Sequence, residues 1–104
     1  MAQFDVYENT NHDTCEIFPY LLDIQADVLN DLPTRVVLPL VLSSVLNKAI
    51  PILTPQFKII ETEVRMVTPQ LVGVQMHALG TRICSLKDQR SEIIAALDLL
   101  VTGF

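Results

Sequence analysis

The sequence predicts an α+β fold, a mostly antiparallel sheet that is curved or barrel-like, with one helix at its C-terminal end. Three observations predict it. Short apolar and β-branched runs recur along most of the chain with too few residues between them for helical crossovers, so neighbouring strands must run antiparallel. Prolines and turn-forming clusters punctuate those runs. Only the last segment, Ser85 to Phe104 (SLKDQRSEIIAALDLLVTGF), keeps a helical period throughout, with Ile93, Ile94, Leu97, Leu100, Val101 and Phe104 on one stripe. A helix that follows strands in this way packs along one flank of their sheet.

In chain order, QFDVY (residues 3–7) alternates apolar and polar residues and reads as an opening strand. The acidic, turn-rich stretch from Glu8 to Glu16 reads as a hairpin connection or a mobile loop. Tyr20 to Leu29 resumes as a strand. Its alternation puts Leu22, Ile24 and Ala26 on one face and Asp23, Gln25 and Asp27 on a solvated face. Asn30, Asp31 and Pro33 turn the chain into Arg35–Leu42, a continuous apolar strand in which Pro39, unable to donate to a ladder, predicts an edge or a bulge. From Ser43 to Thr54 helix and strand signals conflict, and the segment reads only as a crossing. Phe57 to Thr68 reads as two short strands around Glu61–Glu63, and Pro69 and Gln70 form a turn. Leu71–Leu79 reads as a further strand in which Gly73 marks a bulge or a close backbone approach, with Gly80 and Thr81 leading to the helix. Ser85 and Asp88 form a capping-box spacing, and Asp88 and Glu92 place negative charge at the positive end of the helix dipole.

At 104 residues the chain makes one domain, 1–104, with a thin core, which favours burial against a second copy. Half of its residues are hydrophobic, mean hydropathy is +0.40, and yet no run is long enough for a membrane span. The start lacks the basic and apolar regions of a signal peptide, so a cytoplasmic location is expected. With a net charge of -5 and only seven Lys and Arg, direct nucleic-acid binding is disfavoured. Cys15 and Cys84 are far apart, in no metal-ligand spacing, and read as free thiols.

No phosphate loop, nucleophile elbow or metal motif is present, so neither a cofactor nor a metal is expected. His12 reads as a solvated loop residue and His77 as a hydrogen-bonded histidine of the barrel. Asp23 and Asp27, roughly 13 Å apart on an extended strand at ~3.3 Å per residue, are too distant to share a proton. Arg35, Arg65, Arg82 and Arg90 read as surface or ion-pair residues. The polar side of the helix (Asp88, Ser91, Ala95, Asp98, Thr102) is rich in small residues and suits either solvent or a packed partner. From the residues alone, no active site emerges.

Three collinear blocks resemble the CcdB family of bacterial toxins, which poison DNA gyrase. They are QFDVY, LLDIQADVLNDLPTRVVLPL, and Arg65-Met66-Val67-Thr68 together with the closing helix and its Gly-then-apolar end. The resemblance implies a homodimer of SH3-like barrels, related in fold to the MazF and Kid ribonuclease toxins, with the two C-terminal helices side by side. It implies that Thr102, Gly103 and Phe104 enter a cleft of the gyrase A subunit while DNA is cleaved, with further contacts from Val28, Leu29, Asn30 and Asp98. It also implies a CcdA-type antitoxin whose disordered tail orders on binding, roles in plasmid maintenance and in repression together with that antitoxin, and contact with nucleic acid only through gyrase or antitoxin. Two departures stand out. Thr102 occupies a position where a relative carries a tryptophan suited to stacking on arginine, while Phe104 brings an aromatic two residues later. The first loop, basic in that relative, is acidic here, which predicts poor recognition by a non-cognate antitoxin tail; calorimetry against such a tail tests this. The rival function on the same fold, a MazF-type endoribonuclease, requires a basic groove and an acid–base pair, which the low Lys and Arg content disfavours.

Overall fold

The computed structural model describes residues 2–46, 48–50 and 52–103. Among the described residues, seven strands, β1 (Asp5–Asn9), β2 (Tyr20–Asp23), β3 (Thr34–Leu42), β4 (Gln56–Ile59), β5 (Thr62–Met66), β6 (Val72–Gln75) and β7 (Leu79–Ser85), precede one helix, α1 (Arg90–Thr102). Every pairing is antiparallel. The strands lie in the order β4-β5-β3-β2-β1-β7, with β6 beside β3, as a curled half-barrel. The expected α+β architecture is therefore the observed one.

β3 organises the sheet. On one side it pairs with β2, Tyr20 opposite Leu40 and Asp23 opposite Val37. On the other side it changes partner, pairing with β6 through residues 34–37 and with β5 through residues 40–42. Pro39 falls at that change, where its carbonyl accepts from Val67 N–H (3.0 Å). The proline predicted an edge or a bulge, but β3 is central. A residue without an N–H is tolerated there because it stands in the gap between two ladders.

Alternate residues bury both faces of the central strands. On one face Val6, Leu22, Leu38, Leu40, Val64 and Met66 join Phe4, Phe57, Ile59 and Leu86 in the main core, closed by Ile93 and Ala96 of α1. On the other face Tyr7, Leu21, Val37 and Val41 are also buried, in company with Asp5, Asp23 and Arg35. This second buried layer is what alternation could not reveal: the face opposite the apolar one need not be solvated.

Local departures have local causes. β1 begins at Asp5 because Phe4 is left-handed (φ 71°), pinned by its N–H to Asp23 O (2.6 Å) and by its carbonyl, which accepts from Leu86 N–H (2.8 Å). The loop after β1 is a hydrogen-bonded hairpin connection, with Asn9 Nδ2 donating to Thr14 Oγ1 (3.0 Å) and Phe18 O (2.8 Å). Gly80 and Thr81 lie inside β7, not in a lead-in to the helix. At Gly80 an added Cβ would sit 2.9 Å from Thr10 Cγ2, whereas at Gly73 it would meet open space, and Gly73 pairs with Val36 in unbroken register. The close approach expected at Gly73 belongs to Gly80. Ser85 is still extended, opposite Asp5, and its hydroxyl accepts from Lys87 N–H (3.2 Å) rather than capping the helix. α1 accordingly starts later than expected, at Arg90 after a 3-10 turn at Lys87–Gln89, without a side-chain cap. In the crossing segment, the described residues form turns at 43–45 and 52–53 with irregular chain between them, and no helix or strand.

The second buried layer makes one prediction about pH. Tyr7 donates to Asp5 Oδ2 (3.3 Å), and burial, then the charge of Asp5, push its phenol up to about 12. Between about pH 10, where an unfolded tyrosine ionises, and about 12, the unfolded chain releases a proton that the folded chain keeps, so stability falls as pH rises through that window. The urea midpoint should drop across it, and drop less steeply in Tyr7→Phe. Equal slopes would mean that Tyr7 is not the group responsible.

Candidate functional site

Two exposed places carry the residues singled out from the sequence. The first follows β2. That strand was expected to run on to Leu29, but it ends at Asp23, and Asp27–Leu29 form a 3-10 turn. The cause is a buried polar lattice. Arg35, fully buried, brings Nε (2.9 Å) and Nη2 (2.6 Å) to Asp23 Oδ2, also fully buried. The other carboxylate oxygen accepts from Gln25 N–H (2.9 Å), the local turn that aspartate favours and that breaks a strand. Gln25 accepts from Val36 N–H (3.1 Å) and donates to Leu29 O (2.8 Å), while Arg35 Nη1 donates to Asn30 Oδ1 (2.6 Å). Burial pushes the Asp23 carboxyl up, against the pull of Arg35 and the Gln25 N–H. Of the polar face expected in solvent, Asp23 and Gln25 are thus inside; only Asp27 is exposed, its Oδ1 accepting from Gln3 N–H (2.8 Å).

Over this lattice the chain presents apolar side chains to water. Val28 is 87% exposed and Leu29 47%, with Asn30 exposed beside them.

The second place is the end of α1. The apolar stripe splits along its length: Ile93 is buried and Ile94 and Leu97 pack on the core, but Leu100 and Val101 are exposed, Val101 to 79%. Full burial on α1 is confined to Ile93 and Ala96, in its first half, and residues 100–103 are all exposed. Asp98 is exposed, and its carbonyl accepts from Thr102 Oγ1 (2.7 Å). Gly103 takes a left-handed cap (φ 81°), donating to Leu99 O (3.1 Å), which satisfies a terminal carbonyl and stops the helix cleanly. Thr102 and Gly103 are both exposed; Phe104 lies outside the described residues.

Within one chain, no described hydrogen bond or ion pair joins the two places. Asp27 lines the same shallow cleft as Arg90, at the start of α1, whereas Thr102 is roughly 18 Å further along the helix axis at 1.5 Å per residue.

The residues that shape the first place, Asp23, Gln25 and Arg35, were not identified from the sequence as a unit. A signal was present: one anion and one cation set in two otherwise apolar runs joined by a short turn. In the observed register Arg35 stands two residues from Val37, the partner of Asp23, on the same face, a diagonal that long side chains span.

The remaining candidates offer less. His12 is exposed, as expected; His77 is exposed in a 3-10 turn, Met76–Ala78, and is not a histidine of the barrel. Cys15 and Cys84 are free thiols, and burial pushes the Cys84 thiol up, away from reactivity at neutral pH. Arg65 donates to Thr54 O and Gln56 Oε1, Arg82 pairs with Asp5, and Arg90 lies over the Phe4 ring at 5.8 Å. Among the described residues, no group of three or more His, Cys, Asp or Glu is arranged to hold a metal, and no helix is long and apolar enough to cross a membrane. What the molecule offers is two apolar, exposed tips on rigid supports, an arrangement suited to docking.

None of the curated proteins matches the chain. The family model for the CcdB protein, however, matches residues 3–103. Because that match takes in every strand, the buried lattice and the helix with its glycine cap, the chain belongs to the CcdB family, the toxin side of a toxin–antitoxin pair.

Proposed function

We propose that this protein is a single-domain cytoplasmic toxin, spanning 1–104, that acts as a homodimer, binds the A subunit of DNA gyrase and holds the enzyme on cleaved DNA until a CcdA-type antitoxin removes it. It makes and breaks no covalent bond itself and requires neither cofactor nor metal. The observation that carries this reading is the exposed distal half of α1: Leu100 and Val101 continue the apolar stripe into solvent, beside the exposed Thr102 and Gly103. Isolated exposed apolar residues need no explanation, but a stripe that leaves the core at a rigidly capped terminus is a surface fitted to a partner. Val28, Leu29 and Asn30 form the second contact, and dimerisation supplies what one chain lacks for joining the two. A ligand traps a conformer only through differential affinity, so the dimer must bind gyrase holding cleaved DNA better than resting gyrase.

The test is direct. Purified protein mixed with gyrase and supercoiled plasmid should accumulate linear DNA on detergent treatment, in proportion to toxin. Degradation of RNA in the absence of gyrase, with no linear plasmid, would replace this reading with that of a ribonuclease on the same fold.

A further inference from the structure

Asn30 sits on the exposed rim of the first tip, where its side chain looks like a contact made outward. The geometry points inward instead. Arg35 has only donors, so the atom of Asn30 at 2.6 Å from Nη1 must be the carbonyl oxygen, and the side-chain amide orientation is settled by chemistry. Of the other arms of the guanidinium, Nε donates to Asp23 Oδ2, and Nη2 lies in ion-pair contact with the same oxygen (2.6 Å) without a hydrogen bond of its own. Asn30 therefore supplies the acceptor for the remaining arm, in a charge-assisted bond, the stronger kind. The same turn is held a second time by Gln25 Nε2 on Leu29 O. Two buried side chains, Arg35 on β3 and Gln25 just past β2, thus grip two consecutive residues of the tip and leave Val28, 87% exposed, at the surface.

We infer that Arg35 is a positioning residue for the docking tip, and that Asn30 serves binding through its inward oxygen rather than through its outward amide. The arrangement pre-organises the tip: loop order fixed before docking need not be lost on docking. This inference rests on the proposed reading that Val28–Asn30 meets gyrase, and adds how that segment is shaped.

The test uses the full-length toxin and the gyrase A subunit, with affinity and urea midpoint measured for each variant. Asn30→Ala should weaken binding about tenfold with little change in midpoint, because water reaches the freed arm at the exposed rim. Asn30→Asp, which keeps an acceptor for Arg35 but loses both amide donors, should restore binding to within about threefold of the parent. Arg35→Lys should weaken binding in the parent yet add nothing in the Asn30→Ala background, a non-additivity that a purely structural role would not produce. Binding by Asn30→Asp as weak as by Asn30→Ala would overturn the inference, as would undiminished binding by Asn30→Ala; either result is decisive even if Arg35→Lys does not fold. Val28→Ser separates docking from positioning. If it leaves binding intact, the tip is no docking surface and the proposed reading fails there. If it weakens binding while Asn30→Ala does not, only the positioning role fails.

Discussion

Replacing Arg35 by leucine should destabilise the protein by about 3–5 kcal/mol, the cost of stranding a buried charge when its partner is removed. Asp23 is fully buried, and the guanidinium supplies the contacts to its Oδ2. For a domain of this size the loss corresponds to a fall in melting temperature on the order of 20 °C. The double variant Asp23→Leu/Arg35→Leu should recover most of the lost stability, because apolar residues of similar volume in place of both partners are often neutral. Thermal unfolding of the three proteins checks this. A single variant as stable as the parent would show that Asp23 finds another partner or is uncharged in the fold. A double variant no better than the single would show that Arg35 matters through its neighbours more than through the ion pair. The tip should suffer even where stability returns, since the double variant still lacks the donor to Asn30.

The second large effect is expected at the helix end. Gly103→Glu should abolish trapping of cleaved DNA, lowering affinity for gyrase at least a hundredfold, while the protein stays folded. An added Cβ at Gly103 meets nothing within 4 Å, so the fold has room for it. The left-handed φ of 81° costs a non-glycine residue about 1 kcal/mol, and a negative charge at the negative end of the helix dipole adds at most about another. These are local costs, borne by a turn that the core does not hold. In a docked complex, by contrast, the carboxylate would be taken out of water without a partner. Gly103→Asn, uncharged and tolerant of the left-handed region, serves as the control and should keep most of the activity. A plasmid cleavage assay with both variants, beside circular dichroism, separates charge from strain. Full activity in Gly103→Glu would remove the C-terminal end from the mechanism.

How far the sequence reached depends on which physical signal each element left in it. The period of α1 and the alternation of β1 were legible because one face of each meets the core and the other meets water or a neighbour, and β4 and β5 were legible as two short strands about an acidic turn. β7 was not: in LGTRICS only Ile83 and Cys84 pack on the core, and a strand at the sheet's edge with shifted register against β1 shows little periodicity. The close approach went to the wrong glycine because the crossing of β7 over Glu8 and Thr10 is a long-range contact that no local pattern encodes. An alternation rule that assumes one wet face puts Asp23 and Gln25 in solvent, whereas the central strands are covered on both. For the proposed docking surface, the apolar stripe was visible from the residues, but periodicity could not divide Ile93, fully buried in the core, from Val101, 79% exposed. The candidate positions 28–30, 98 and 102–103 came from family resemblance; the structure adds that all six are exposed, and that the first three stand on a buried lattice that no local pattern in the sequence assembles.

The central claim, that an exposed helix end and not a catalytic cluster does the work, is tested most directly by a photocrosslinker at position 102, the Thr102 side chain being exposed at the end of α1. Irradiated in the presence of gyrase, plasmid and toxin, it should form an adduct with the gyrase A subunit, and the yield should rise under conditions that accumulate cleaved DNA. A labelled toxin that still poisons gyrase, yet crosslinks only to its own partner chain or to nothing, would contradict the account.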